Sequence, residues 1–271
     1  MRGRRLIAIA LAGAIMCAGA AEARVAAPPS VSLGVIFPEG WTVREMVGRV
    51  AAVRRIAIRK RHVKPVLTAR AYARAAADAL PPRAFRRSVT RRTIEGFLFP
   101  SRYNFGLSTS APDLIALQLG EFDRQWAKVG LRVAASHGLG PYDVLIVASM
   151  IERETVVPAE RALVSAVIYN RLAADMPLAI DATLRYGLGV PGTRPLTKAD
   201  LASRTPYNTR RYKGLPPTPI GNPGLASMRA AAHPAKVDYL YYVRKPDKLH
   251  HFFTADADEF CRKAREYGYG C

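Results

Sequence analysis

Leu145, Ser149 and Glu152 are separated by four and three residues, a spacing that puts them on one face of a helix. That helix, read over Asp143 to Thr155, is apolar almost all round between Val144 and Ile151 and is expected to be buried. A carboxyl at the end of such a helix faces the interior or a cleft. Desolvation there raises its pKa and keeps it protonated near neutrality, the condition for a general acid. The plainer alternative is a buried salt bridge to an arginine such as Arg171. Glu154, two positions on, is expected to face away towards surface partners of the Arg153 kind.

Asn170 follows Leu163 and Val167 on one helical face, so an amide points where apolar groups belong. It either holds a carboxyl or a sugar amide, or satisfies a buried hydrogen bond. Asp181, Tyr207, Asn208, Thr209 and Asn222 lie on or beside a stretch, 186–224, crowded with Gly and Pro. Tyrosine rings stack on sugar faces and asparagines read hydroxyl and acetamido groups, so this mixture suits a glycan groove. Turn chemistry explains each residue equally well. His250 and His251 are adjacent on an expected strand, point to opposite faces, and cannot chelate jointly as a helical pair would; His233 adds little. There is no Gly-x-Ser-x-Gly elbow, P-loop or dinucleotide fingerprint, so serine hydrolase, nucleotide-dependent and zinc chemistries lose support.

The elements that must position these groups follow from periodicity and punctuation. Val31 to Phe37 reads as a short strand and Pro38-Glu39-Gly40 as a turn. Thr42 with Glu45 three residues on reads as a capping box, opening a helix with Val43, Met46, Val47 and Val50 on one face. Residues 44–92 carry many Arg and Lys against only Glu45 and Asp78, a basic extension that is either a solvated surface or one that lies on anionic lipid or wall polymers. Ile94 to Pro100 reads as an apolar strand. A helix is expected over 111–136 with Leu114, Leu117, Leu119, Phe122 and Trp126 as core candidates, and another from Pro158 to about Ala174. Two strands, Asp238–Val243 and His250–Thr254, and a last helix at about Asp256–Tyr267 close the chain. The class expected is mixed α+β, with helices on a small sheet and the long loop beside Glu152.

The 271 residues allow one large domain, or a medium and a small one. Hydrophobic residues at 49% and charged ones at 23% argue against disorder over most of the length. With 41 Lys+Arg against 21 Asp+Glu the net charge is +20, a surface that seeks nucleic acid, acidic lipid or an anionic wall polymer. The first 23 residues narrow that choice. Arg2, Arg4 and Arg5 precede an apolar run from Leu6 to Ala21 and a small-x-small site at Ala21-Glu22-Ala23, the layout of a secretory signal or an uncleaved anchor. Cys17 lies in a poor lipobox. Either reading exports the chain and argues against cytoplasmic nucleic-acid work. Outside the reducing cytoplasm, Cys261 and Cys271 either pair or stay as two thiols.

With these segments in view the chain resembles the YceG-like family of endolytic murein transglycosylases. The resemblance is carried in family order by Ile94-Glu95-Gly96-Phe97-Leu98-Phe99-Pro100, Ala148-Ser149-Met150-Ile151-Glu152-Arg153-Glu154-Thr155 and Tyr169-Asn170-Arg171-Leu172. It continues through Met176-Pro177-Leu178, Tyr186-Gly187-Leu188-Gly189, Pro206-Tyr207-Asn208-Thr209, Gly214-Leu215-Pro216-Pro217, Asn222-Pro223-Gly224 and His250-His251-Phe252-Phe253-Thr254. The sequence departs at Leu178-Ala179-Ile180-Asp181-Ala182-Thr183, where members often read Leu-Gln-Ser-Asp-Pro-Thr, a difference that bears on one substrate contact. Ser101-Arg102 replaces the more usual Asp-Thr.

The resemblance implies a signal or anchor (1–23), a short basic LysM-like strand-helix module with linker (24–92) and a catalytic domain (93–271). The enzyme it implies sits at the outer face of the cytoplasmic membrane, or is secreted, and cuts peptidoglycan glycan strands internally. Glu152 matches the family's catalytic glutamate. The implied reaction protonates the oxygen between N-acetylmuramic acid and N-acetylglucosamine, then lets the muramic 6-hydroxyl attack its own anomeric carbon, leaving a 1,6-anhydro end. Such an enzyme is a lyase and needs no cofactor or metal. Peptidoglycan synthases and an anionic membrane surface are its expected partners, with no nucleic acid. The competing readings are a muramidase-type hydrolase on the same bond, a non-catalytic wall- or membrane-binding protein and an exported nucleic-acid binder.

Overall fold

Thr42 and Glu45 cap each other as their spacing predicts: Thr42 N donates to Glu45 Oε2 at 2.7 Å and Glu45 N to Thr42 Oγ1 at 3.2 Å. In the computed structural model, which describes residues 31–89, 91 and 93–271, this cap follows strand β1 (Leu33–Ile36) and starts helix α1 (Val43–Arg61). The expected signal or anchor, with Cys17, lies outside the described residues. Helix α1 buries Met46, Val50 and Ala57, and helix α2 (Ala69–Asp78) buries Tyr72 and Ala76 beneath it. Strand β2 (Arg102–Phe105) then pairs antiparallel with β1, Leu33 opposite Phe105 and Ile36 opposite Arg102. The basic segment thus draws its second strand from beyond residue 92, and Val31–Cys271 forms one compact unit.

Two expectations about the middle of the chain fail for visible reasons. Ile94 to Pro100 is a buried turn, not a strand, because Gly96 takes φ +92° and the Gly96 and Leu98 N–H groups find a side-chain acceptor, Asn222 Oδ1 (3.0 and 2.9 Å), instead of a neighbouring strand. The helix expected over 111–136 divides into α3 (Ala111–Trp126) and α4 (Arg132–Ser136), with Gly130 set against the His233 ring at the break. Helix α3 buries Leu114 and Phe122, but Leu117 is 47% exposed and Gln118 takes the inward position, accepting a hydrogen bond from Tyr72 Oη at 2.6 Å.

Helix α5 (Pro141–Glu154) runs through the core with every residue from Val144 to Ile151 buried, as its composition demands. A 3-10 turn at Pro158–Glu160 leads into α6 (Arg161–Ala173). The Gly/Pro-rich stretch is mostly irregular but holds the end of α7 (Asp181–Leu188) and the short α8 (Lys198–Leu201), and it delivers the chain to α9 (Leu225–Ala232), which packs along α5. Strands β3 (Tyr241–Arg244) and β4 (His251–Thr254) pair antiparallel, and α10 (Ala257–Glu266) packs on both. The fold is α+β; among the described residues its strands form two separate two-stranded sheets rather than one. Cys261 and Cys271 are disulfide-bonded, with Cα atoms 5.3 Å apart, closing the C-terminal tail on α10. Among the described residues no helix is long and apolar enough to cross a membrane.

Candidate active site

The last turn of α5 carries Glu152 to a junction of three chain segments. Its side chain is only 6% exposed. Oε2 accepts a hydrogen bond from Gly224 N at 2.9 Å, and Oε1 lies 3.9 Å from the Arg161 guanidinium. Gly224 is the N-cap of α9, so the positive end of that helix dipole adds to the charge facing the carboxylate. The buried partner is therefore Arg161, not Arg171, whose guanidinium is spent on the carbonyls of Leu240 and Leu178. Arg161 Nε is buried and has no hydrogen-bond partner among the described residues.

Asn222 holds the junction together. Its Oδ1 takes the two N–H groups of the 94–98 turn, while Nδ2 donates to the Trp41 carbonyl (2.8 Å) and to Glu95 Oε1 (2.9 Å). Its backbone pairs with the turn after β1 in both directions, Gly40 N to Asn222 O and Asn222 N to Trp41 O. Every polar atom of this buried amide is thus committed within the protein. Glu95, 4% exposed, accepts from Val43 N and Tyr186 Oη as well. Burial pushes its pKa up to about 7, with those hydrogen bonds acting in the other direction.

Glu95 also borders a cavity of about 440 Å³ walled by Arg44, Arg153, Arg185, Tyr186 and Tyr207. The Tyr186 and Tyr207 rings meet edge to face, 5.1 Å between centroids. Glu152 itself is not in the cavity wall; Arg153, the next residue, is, and it ties the two regions by donating to Gly40 O at 2.8 Å. Tyr207 alone among the expected substrate residues lines this space, with its hydroxyl bonded to Thr218 Oγ1 at 2.8 Å.

The other expected substrate residues are placed differently. Asn170 Nδ2 donates to the carbonyls of Val237 and Tyr239, the satisfied-amide alternative. Asn208 is fully buried and bridges the Leu201 and Ser203 carbonyls, and Thr209 Oγ1 accepts from Ile180 N and pairs with Thr183. Asp181, at the start of α7, forms an exposed ion pair with Arg210 at 2.7 Å. Glu154 does not face surface partners: its carboxyl accepts from Tyr242 Oη at 2.9 Å, and burial pushes its pKa up to about 7. His250 and His251 do point oppositely, His250 to exposed Asp247 (2.9 Å) and His251 to buried Glu160 (2.7 Å).

Sequence spacing did not single out Glu39, Glu95 or Arg161. Glu95 carried a signal, a lone acid inside the apolar run Ile94–Pro100, whereas Arg161 and Glu39 lie 9 and 113 residues from Glu152 with no periodic relation to it.

A model of the YceG-like family matches residues 15–266. The chain is 37% identical over 156 residues to the endolytic murein transglycosylase of Bacillus subtilis, covering 57% of this chain and 43% of that protein. It is 29% identical over 184 residues to the endolytic murein transglycosylase of Streptococcus pneumoniae, covering 66% of this chain and 33% of that one. The chain therefore spans less than half the length of these curated relatives. The crystal structure of a YceG-like protein from Listeria monocytogenes superposes with a TM-score of 0.71 at 29% identity, covering 84% of this chain and 74% of that one.

Proposed function

The chain belongs to the YceG-like family, and from that membership we propose that it is an endolytic peptidoglycan lytic transglycosylase with Glu152 as its single acid/base. The observation that carries this reading is the setting of Glu152 within the matched region: a nearly buried carboxyl at the N-terminus of α9, faced by a guanidinium and a backbone N–H. Glu152 gives its proton to the glycosidic oxygen, the bond to the muramic anomeric carbon breaks, and its electron pair leaves with the glucosamine oxygen. The carboxylate so formed is stabilised by Gly224 N–H, Arg161 and the helix end. It then takes the proton of the 6-hydroxyl as that oxygen bonds to the anomeric carbon, so the carboxyl is regenerated and no water is consumed.

The cavity beside Arg153, with Tyr186 and Tyr207, is the groove for neighbouring sugars, and Tyr207 is its sugar-stacking residue. The strand–helix–helix–strand unit from β1 to β2 acts as the LysM-like element, and its arginine-rich α1 faces anionic lipid or wall polymer. Export by the N-terminal segment puts the site outside the cytoplasm, next to nascent strands and the synthases that make them. Residues 24–271, wild type and Glu152→Gln, incubated with peptidoglycan and analysed by mass spectrometry, test the reaction. New internal anhydromuramoyl ends from wild type only are expected. Reducing ends would make the protein a hydrolase, and binding without any product from either would leave a wall-binding role.

A further inference from the structure

Glu39 sits in the Pro38-Glu39-Gly40 turn, 113 residues before Glu152, and its carboxylate overhangs Gly224. A Cβ on Gly224 would collide with Glu39 Oε1, while the N–H of the same glycine donates to Glu152 Oε2 at 2.9 Å. Bond lengths across Gly224 therefore put the two carboxylates no more than about 7 Å apart. The turn is held by more than its own conformation. Gly40 has φ +76°, and a Cβ there would lie 3.3 Å from Glu152 Cγ, so the turn packs on the glutamate's stem. Gly40 N donates to Asn222 O and Gly40 O accepts from Arg153, fixing it from both sides.

Two carboxylates brought this close need a reason, since like charges oppose each other. Arg161 supplies part of the compensation: it faces Glu152 at 3.9 Å and its charge also acts on Glu39. Burial and the Glu152 charge nevertheless hold the Glu39 carboxyl above its ordinary range, so the arrangement costs stability and is not explained as an ion pair. Glu39 has no hydrogen-bond role that would account for it structurally among the described residues, and as a residue it is exposed to solvent.

We propose that Glu39 is a second carboxylate of the catalytic site, which flanks the sugar protonated by Glu152 and stabilises the positive charge that develops at its anomeric carbon. This rests on the transglycosylase reading above. In that reaction Glu39 forms no bond and gives up no proton. The proton moves from Glu152 to the leaving oxygen and returns from the 6-hydroxyl, while the ionised Glu39 opposes the charge that appears on the ring between those events. A fixed negative charge some 6 Å from a developing positive one, at the effective dielectric of a protein site, changes a rate on the order of 100-fold.

The test measures kcat and KM for release of anhydromuramoyl ends from purified glycan strands, with thermal melting as a control on folding. Glu39→Gln keeps size and hydrogen-bonding capacity and removes the charge. It is expected to lower kcat on the order of 100-fold with KM near wild type and melting at or above it, and Glu39→Asp is expected to recover part of the loss. Gly224→Ala keeps the N–H to Glu152 but drives the Glu39 side chain aside, so it should lower kcat in the same direction without Glu39 being altered. Wild-type kcat in Glu39→Gln overturns the proposal while leaving the transglycosylase reading intact. Equal losses in Gln and Asp accompanied by a falling melting temperature overturn it in favour of a packing role. No anhydro ends from wild type overturn both.

Discussion

Glu95→Gln separates what the buried acid does for stability from what it does for the site. A carboxyl whose pKa is 4.5 in the unfolded chain and about 7 in the folded one binds its proton more firmly when folded. Its contribution to stability is therefore fully present below 4.5 and is lost as the pH rises to about 7. Over that interval the loss amounts to about 3 kcal/mol, at 1.36 kcal/mol per pH unit. Glutamine mimics the protonated acid: its oxygen still accepts from Val43 N and Asn222 Nδ2, and its amide faces the Tyr186 oxygen, which can accept. Urea unfolding of both proteins from about pH 4 to about pH 8 is the assay. The variant is expected to match wild type at the acid end and exceed it by about 3 kcal/mol at the alkaline end. Glu154, which titrates in the same range, contributes equally to both curves and cancels in the difference. Parallel curves over the whole range would refute the argument, because Glu95 would then ionise alike in folded and unfolded chains.

Asn222→Ala strands two buried N–H groups, the Trp41 carbonyl and a Glu95 oxygen, and should cost about 3–5 kcal/mol by denaturant unfolding. Glu160 is opposed by its own burial, yet hydrogen bonds from His251 hold its carboxyl below 4.5, so its contribution is present above that pH and lost beneath it. His251→Ala should accordingly flatten the acid limb of the stability profile as well as lower the plateau. Replacing Cys261 and Cys271 by Ser opens a short loop and should lower stability by up to about 3 kcal/mol, read as a shift of the urea midpoint that wild type reproduces under reducing conditions.

Where local physics decides, the sequence was readable. The Thr42–Glu45 cap, the buried run of α5 and the opposite outlook of His250 and His251 follow from hydrogen-bonding capacity and period alone. It misled where a partner from far along the chain changes the local answer. Ile94–Pro100 has a strand's composition, but Asn222, more than 120 residues away, takes its N–H groups and makes it a turn. Leu117 has the right spacing for the core of α3, yet the neighbouring position is drawn inward by Tyr72, and Gln118 is buried in its place. The candidate site divides likewise. The inward placement of Glu152 was legible from its helix, and its neighbours Arg161, Gly224 and Glu39 were not.

The asparagine and threonine positions show why residue type alone overstates a binding groove. Polar side chains crowded along an irregular segment look like ligands for a sugar, but an irregular backbone leaves carbonyl and N–H groups without ladder partners, and the same side chains satisfy those first. Asn170, Asn208, Thr209 and Asn222 are consumed in this way. The consequence for the site is positive. With the 38–41 turn, the 94–98 turn and the 219–224 segment pinned to one another through Asn222, the carboxyl of Glu152 is set by backbone groups, not by the rotamers of exposed side chains. A glutamate at a helix end, free in three torsions, would spend much of its time elsewhere. Here Gly224 N–H and the stem contact with Gly40 hold it in place, the preorganisation that the acid-then-base role proposed for it would require.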